Sequence, residues 1–186
     1  MSSIAAFQQQ IKESSQIHIG TNVLPPVESI DMSSYSGVVE YYPEELVITL
    51  KAGTLIADIQ NTLSEYDQAL AFYTDNPEQT IGALYATSGA NFADSVLGVQ
   101  IINGKGELMN FGGQVMKNVA GYDVSRLLVG SKGRFALITQ ISFKILPKSS
   151  AEKHQVKQKP KQSVSELHAT LTTKLKQVFD PYGVFV

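Results

Sequence analysis

Between Phe111 and Asp123 the chain reads Phe111-Gly112-Gly113-Gln114-Val115-Met116-Lys117-Asn118-Val119-Ala120-Gly121-Tyr122-Asp123, and it soon returns to glycine at Gly130-Ser131-Lys132-Gly133. Glycines and small side chains around one lysine make turns whose backbone can approach a neighbour closely. Such a run has to hang between regular elements, and its flanks supply them. Glu107 to Phe111 is strand-like. Asp123 can cap a short helix through Val129, closed by Gly130. Leu137 to Leu146 alternates Ile141, Phe143 and Ile145 with Gln140, Ser142 and Lys144, the pattern of a half-buried strand. The run itself has two readings. Backbones of this kind can turn N–H groups toward an anion, and a helix N-terminus favours negative charge, which describes a phosphate site. A set of tight turns between strands explains the same residues.

Upstream, Ile4, Phe7 and Ile11 share one face of an N-terminal helix, which lacks the basic start and long apolar stretch of a signal peptide. Gln16 to Ile19 is a strand candidate, followed by Gly20-Thr21-Asn22 and a loop with Pro25 and Pro26. Gly37 to Tyr42 is β-rich, Pro43 breaks it, and Leu46 to Leu50 resumes as a strand. Gly53 ends that strand, and Thr54 is placed to cap a helix running to about Tyr66, with Leu55, Ile59 and Leu63 on one face. Asp67 to Pro77 connects to a short helix of small residues, Thr80 to Thr87. Val96 to Ile102 and Glu107 to Phe111 are joined as a hairpin by Asn103-Gly104-Lys105-Gly106. Lys148 to Gln162 is rich in lysine and glutamine and reads as a solvated linker. Ser163-Val164-Ser165-Glu166 then matches a capping box, and Leu167, Leu171, Leu175 and Val178 stand in register on a final helix that is expected to pack back on the core. These elements predict an α+β fold: an N-terminal α/β subdomain over residues 1–71, a mixed, largely antiparallel sheet with short helices over 72–147, a linker over 148–162, and a C-terminal helix and tail over 163–186.

Composition removes several functions. The 186 residues include no cysteine, which excludes disulfides, thiolate metal sites, an iron–sulfur cluster and a cysteinyl flavin link in this chain. A formal net charge of -2 offers no basic footprint for nucleic acid, and no apolar run has the length of a membrane span. His18, His154 and His168 have no metal-ligand spacing. Neither a nucleophile elbow nor a P-loop lysine motif is present. No catalytic or metal-ligating residue is predicted.

The segment Gly112 to Gly130 resembles, almost residue for residue, an FAD-binding subunit of bacterial glycolate oxidases, a branch of the vanillyl-alcohol-oxidase-like flavoproteins with a PCMH-type FAD-binding domain. The resemblance continues through Tyr42-Pro43-Glu44-Glu45-Leu46-Val47-Ile48-Thr49, Ala52-Gly53-Thr54, Val96 to Gly106, and the tail Phe179-Asp180-Pro181-Tyr182-Gly183-Val184-Phe185. It implies FAD as cofactor, lying between the two subdomains. It also implies cofactor contacts at Gly20, Thr21 and Asn22; at Thr80, Ile81 and Gly82; at Ser88, Gly89 and Asp94; at Lys117, Asn118, Val119, Ala120, Gly121 and Tyr122; and at Ser131 and Gly133. Taken as residues alone, Lys117 can equally pack its stem over Tyr122, Tyr122 reads as core or interface, and Asp123 reads as a helix cap rather than an acid or base.

Relatives carry a cap domain between the FAD domain and the tail, whereas here Pro147 leads through the lysine-rich segment to the tail helix. Two glycine-rich pyrophosphate loops are also shorter, and Ala83 and Ala136 stand where relatives tend to have glycine. The resemblance implies a flavin-binding, electron-transferring subunit, and the missing cap predicts no substrate turnover of its own. Its implied partners are a second FAD subunit and an iron–sulfur subunit, and the face that a deleted cap exposes is expected to dock on such a partner or on a second copy of the chain. Its implied place is the cytoplasm, peripheral to the inner membrane through those partners. The lost loops and cap support a different reading, a structural subunit on a flavin fold that no longer binds FAD. An unrelated small-nucleotide module is a third reading.

Overall fold

The computed structural model describes residues 3–20, 28–114, 123–154 and 166–186. Thr21, Asn22, the motif Lys117 to Tyr122 and the start of the capping box at Ser163 lie outside the described residues.

Apolar alternation and β-branched residues build one six-stranded sheet. Its path runs β3 (Val38–Tyr42), β4 (Val47–Lys51), β8 (Leu137–Pro147), β6 (Val96–Ile102) and β7 (Leu108–Gly112), and β5 (Gln68–Leu70) pairs with the far end of β8. Every neighbour in it is antiparallel. The long strand β8 is the hub: Ile141 stands opposite Leu50 on one side and Val99 on the other. Strands from both sides of Ala71 therefore share this sheet. A second sheet pairs β1 (Ile17–Ile19) with β2 (Glu28–Ile30) in parallel, and Phe185 joins it by a parallel bridge to Ile17. Antiparallel strands with short helices give the α+β fold expected from the sequence.

The helices cover one face of the large sheet. In α2 (Ile56–Ser64), Ile56, Ile59 and Leu63 form the apolar stripe and are fully buried. With α3 (Ile81–Thr87) and α4 (Ala90–Ala93), they close the main core around a ring cluster in which Phe72, Phe92 and Phe143 have centroids 4.6–5.5 Å apart. A second core lies under the small sheet. Phe7 and Ile11 of α1 (Ile4–Glu13) pack there with Ile17, Ile30, Tyr35 and Phe185.

Three expectations are corrected. Thr54 does not cap α2: Leu55 holds that position without a side-chain bond. The first N–H groups of α2 are already taken by backbone, Ile56 donating to the Gln79 carbonyl and Ala57 to the Pro77 carbonyl. Thr54 is instead buried against the start of β3, its hydroxyl donating to the Lys51 carbonyl at 2.7 Å and accepting the Gly37 N–H at 2.9 Å. The start of the expected linker is helical. Lys148 donates its N–H to the Asp67 carbonyl, and α6 (Lys148–His154) buries Ala151. In α7 (Glu166–Phe179), Leu175 and Phe179 meet the main core, while Leu171 and Val178 are 52% and 67% exposed. The last turn of that helix is held by a polar anchor. The buried Asp180 carboxylate accepts from Lys176 Nζ at 2.6 Å and from the backbone N–H groups of Val184 and Phe185, each at 2.9 Å. Lys176 also donates to the Arg134 and Phe185 carbonyls.

Candidate functional site

The two sheets leave a cavity of about 610 Å³ between them. Its first wall comes from the small sheet and the chain after it: Ile19, Gly20, Ile30, Asp31, Met32 and Ser33. Its second wall is the end of β4 and one face of α3, with Ala52, Gly82, Ala83 and Ala86. Lys132, Gly133, Ala136 and Ile138 complete it. Most of this lining is apolar and small, with polar or charged side chains at Asp31, Ser33, Glu78, Gln79, Thr80, Thr87 and Lys132.

Local chemistry fixes these walls. Thr80 caps α3, its hydroxyl accepting the Ala83 N–H at 3.2 Å. Ile81 and Gly82 donate their N–H groups to the Thr54 and Ala52 carbonyls, each at 2.8 Å. A side chain at Gly82 would stand 2.8 Å from both Cβ and O of Ala52, so only glycine lets α3 lie this close to β4. The end of α3 is pinned by the turn after α5 (Val124–Leu127). Gly130 N–H donates to the Tyr85 carbonyl at 3.0 Å and Lys132 N–H to the Ala86 carbonyl at 2.9 Å. These bonds satisfy carbonyls that a helix end leaves open. Asp123 caps α5 through the Arg126 N–H, as the sequence predicts.

Tyr85 ties α3 to α5 from below, its buried hydroxyl donating to the Ser125 carbonyl at 2.5 Å. Burial pushes its phenol far above the ordinary tyrosine value of 10.0, and the Asp123 carboxylate adds to the shift. A folded-state value above the unfolded one gives stability that is complete below pH 10 and declines as pH rises beyond it. Unfolding midpoints measured from pH 8 to 11 are therefore expected to fall above pH 10. Tyr85→Phe should flatten that alkaline slope while costing about 1 kcal/mol at neutral pH, because it orphans the Ser125 carbonyl.

The structure brings Gly20, Thr80, Gly82 and Gly133, from three separate stretches of sequence, to the same cavity. Ile81 turns into the main core and is fully buried. Ser131 is buried within the pinned turn. Ser88 is the C-cap residue of α3, with Gly89 following it; its buried hydroxyl has no hydrogen-bond partner among the described residues. Asp94 is exposed, 3.7 Å from the Arg126 guanidinium, which also pairs with Asp123 at 3.1 Å. Thr21, Asn22, Lys117, Asn118, Val119, Ala120, Gly121 and Tyr122 are outside the described residues. Sequence reasoning named Ser131 and Gly133 but passed over Lys132 between them, although a lysine inside a glycine-bounded turn was a usable signal. It also missed the apolar lining at Ile19, Met32 and Ala86. Among the described residues no cluster of histidine, aspartate and glutamate can hold a metal ion.

Residues 16–112 match the family model for the FAD binding domain. The chain belongs to the FAD-binding domain family. The glycolate oxidase subunit GlcE of Escherichia coli (strain K12) is 41% identical over 134 residues, which cover 67% of this chain and 38% of that protein. The glycolate oxidase subunit GlcD of Bacillus subtilis (strain 168) is 27% identical over 62% of this chain and 27% of its own length. The mitochondrial D-lactate dehydrogenase [cytochrome] of Arabidopsis thaliana is 29% identical over 62% of this chain and 22% of its own. The chain thus matches less than two fifths of the length of each of these relatives.

The cavity has the size of a small-molecule site. Its volume falls within the roughly 300–1,000 Å³ of small-molecule sites. Its small apolar walls suit flat ring systems. At Gly133, with φ +73°, a side chain would crowd Ile19 Cδ1 at 3.3 Å, so the bare backbone keeps this end of the cavity open.

Proposed function

We propose that this chain is an FAD-binding, electron-transferring subunit of a glycolate-oxidase-type dehydrogenase complex and turns over no substrate by itself. The observation that carries the reading is the convergence of Gly20, Thr80, Gly82 and Gly133 on one cavity, in a chain of the FAD-binding family 41% identical to a glycolate oxidase subunit. FAD, when bound, supplies hydride and single-electron transfer. The residues of the chain bind, orient and exclude water. Ile19, Met32, Ala83 and Ala86 bury apolar surface, and Gly82 and Gly133 let backbone approach closely. Residues 117–122, with Thr21 and Asn22, belong to the proposed phosphate contacts.

Electrons then leave through partners, a second FAD subunit and an iron–sulfur subunit, or pass to a second copy. No helix among the described residues is long and apolar enough to cross a membrane. We assign the chain to the cytoplasm, at the inner membrane only through such partners.

One observation favours a second reading. The carboxylates of Asp31 and Glu78 line the same cavity and oppose an anionic ligand, as a scaffold that has lost FAD would allow. A visible spectrum before and after FAD addition, followed by gel filtration, separates the two. The expected result is flavin that stays with the protein, with no dye reduction by glycolate until the native partners are added. A colourless protein that ignores FAD, alone and with its partners, would leave the scaffold reading.

A further inference from the structure

We propose that the free edge of the large sheet at β3 docks a basic, extended segment of a partner protein, taken up as an added strand. The inference does not rest on the flavin reading, because no residue of β3 lines the cavity. β3 ends the strand path and pairs on one side, with β4. An edge strand presents a row of N–H and C=O groups that a further strand can meet. Val38, Val39 and Tyr42 are exposed in this β-prone run. Register places both faces within reach. Glu40 stands opposite Thr49 and, beyond it, Ser142, whereas Tyr41 stands opposite Ile48 and Phe143 on the face that the helices cover. On that covered face the Tyr66 ring, 54% exposed, meets the Tyr41 ring edge-on at 5.2 Å. A strand added beyond β3 would run its side chains alternately past Glu40 and Tyr42 and past Tyr66.

Charge decides what that strand is. Residues 38–45 carry Glu40, Glu44 and Glu45 and no cation, and Glu65 precedes Tyr66. Burial raises the Tyr41 phenol, and Tyr66 and Glu65 add to the shift. No ion pair within 4.0 Å engages any of these four carboxylates among the described residues, and Glu40 accepts from the neutral Gln114 amide. Lys51 on β4 lies 5.2 Å over the Tyr35 ring, and Lys144 on β8 stands opposite Val47. The edge is also held in shape: the Gln68 amide accepts the Tyr41 hydroxyl and donates to the Pro43 carbonyl, each at 2.8 Å. Tyrosine faces beside carboxylates suit lysine and arginine, through cation–π contact and ion pairing. A second copy is disfavoured, because β3 paired with β3 would bring the carboxylates of two chains together. The competing explanation is protective: charge and the bulge between Val38 and Glu40 keep the edge from pairing at all. That explanation predicts no binding.

The full chain is titrated by fluorescence anisotropy with labelled peptides of about ten residues, the length of a long strand. One alternates lysine with threonine, one alternates glutamate with threonine, and one is the lysine peptide N-methylated at alternate residues, which removes strand donors and keeps the charge. The lysine peptide should bind and the glutamate peptide should not, and N-methylation should weaken binding roughly ten-fold. Glu44→Lys, Glu45→Lys and Glu65→Lys together should weaken the lysine peptide roughly ten-fold, whereas the same charge change at exposed Glu13, Glu28 and Asp75 should cost about two-fold or less. Binding of the lysine peptide no tighter than about 1 mM at low salt would overturn the inference. Equal losses in the two triple variants, or equal affinity for the N-methylated peptide, would do the same. A dimer in sedimentation that the lysine peptide disperses would make a second copy the occupant and overturn it too. Lys157, Lys159 and Lys161 of this chain are the remaining rival. If they occupied the edge, their joint replacement by glutamine would tighten peptide binding roughly ten-fold or more, and that result would also overturn the inference.

Discussion

Asp180→Ala is expected to destabilise the protein by about 3–5 kcal/mol, the loss associated with breaking a buried ion pair from one side. The carboxylate is buried and accepts from Lys176 Nζ and from two tail N–H groups, so its removal orphans all three donors at once. The Lys176 ammonium would remain against the Arg134 and Phe185 carbonyls with no counter-charge. The damage also spreads along the backbone. The tail hands Ile17 a partner through the Val184 carbonyl, and Phe185 fills the second core. Beside it, Gly104 has no room for a side chain because a Cβ there would overlap the Asp180 carboxylate. Urea unfolding of Asp180→Ala, Lys176→Met and the double variant tests this. Lys176→Met should be the milder single change, since it leaves Asp180 its two backbone donors, and the double variant should recover part of the loss. A cost below about 1 kcal/mol for Asp180→Ala would mean that the tail holds without its carboxylate.

Gly53→Ala is expected to cost about 3 kcal/mol or more, at the upper end of overpacking effects. A Cβ at this position would overlap the Met32 carbonyl oxygen and sit 2.8 Å from the Tyr35 carbonyl oxygen. Both obstacles are backbone, and Gly53 N–H itself donates to the Tyr35 carbonyl at 3.0 Å, so neither side can yield without loss. The segment forced to move includes Met32 and its neighbours Asp31 and Ser33, which form one wall of the cavity. The variant should therefore lose ligand affinity as well as stability. Gly113→Ala is the control: among the described residues nothing beyond its chain neighbours lies within 4 Å of a Cβ there, and its change should stay within about 0.5 kcal/mol. Comparable midpoints for the two variants in thermal unfolding would refute the argument.

What could be read from the sequence was whatever has a local cause. The alternation at Ile141, Phe143 and Ile145 marks β8, the stripe at Ile59 and Leu63 marks α2, and Asn103 to Gly106 makes the β6–β7 turn, where Asn103 Oδ1 accepts the Lys105 and Glu107 N–H groups. What could not be read depends on distant partners. Gln68 to Leu70 is too short to signal a strand and becomes one because β8 offers it an edge. Glu28 to Ile30 is a strand through β1, which borrows the tail as its other neighbour. Thr54 looked like a cap, yet the donors it would have served were met from Pro77 and Gln79. The candidate site divides the same way. Its glycines were legible as turn and close-approach residues. The apolar wall of Ile19, Met32 and Ala86 exists only after three segments converge. Lys132, between Ser131 and Gly133 in a glycine-bounded turn, was legible as a lining residue and was passed over.

The hub position of β8 imposes an order on synthesis. Its partners β4, β5 and β6 all precede it in the chain, and until Leu137–Pro147 emerges they have only the β3–β4 and β6–β7 hairpins to satisfy them. At about 5–20 residues per second, the interval from Val47 to Pro147 lasts about 5–20 s on the ribosome. Throughout it, the apolar run Val47-Ile48-Thr49-Leu50 presents an unpaired edge that the finished sheet buries. Long-range pairing of this kind is slow and open to wrong partners. The nascent chain is therefore most exposed to wrong pairing during that interval, before β8 closes the sheet.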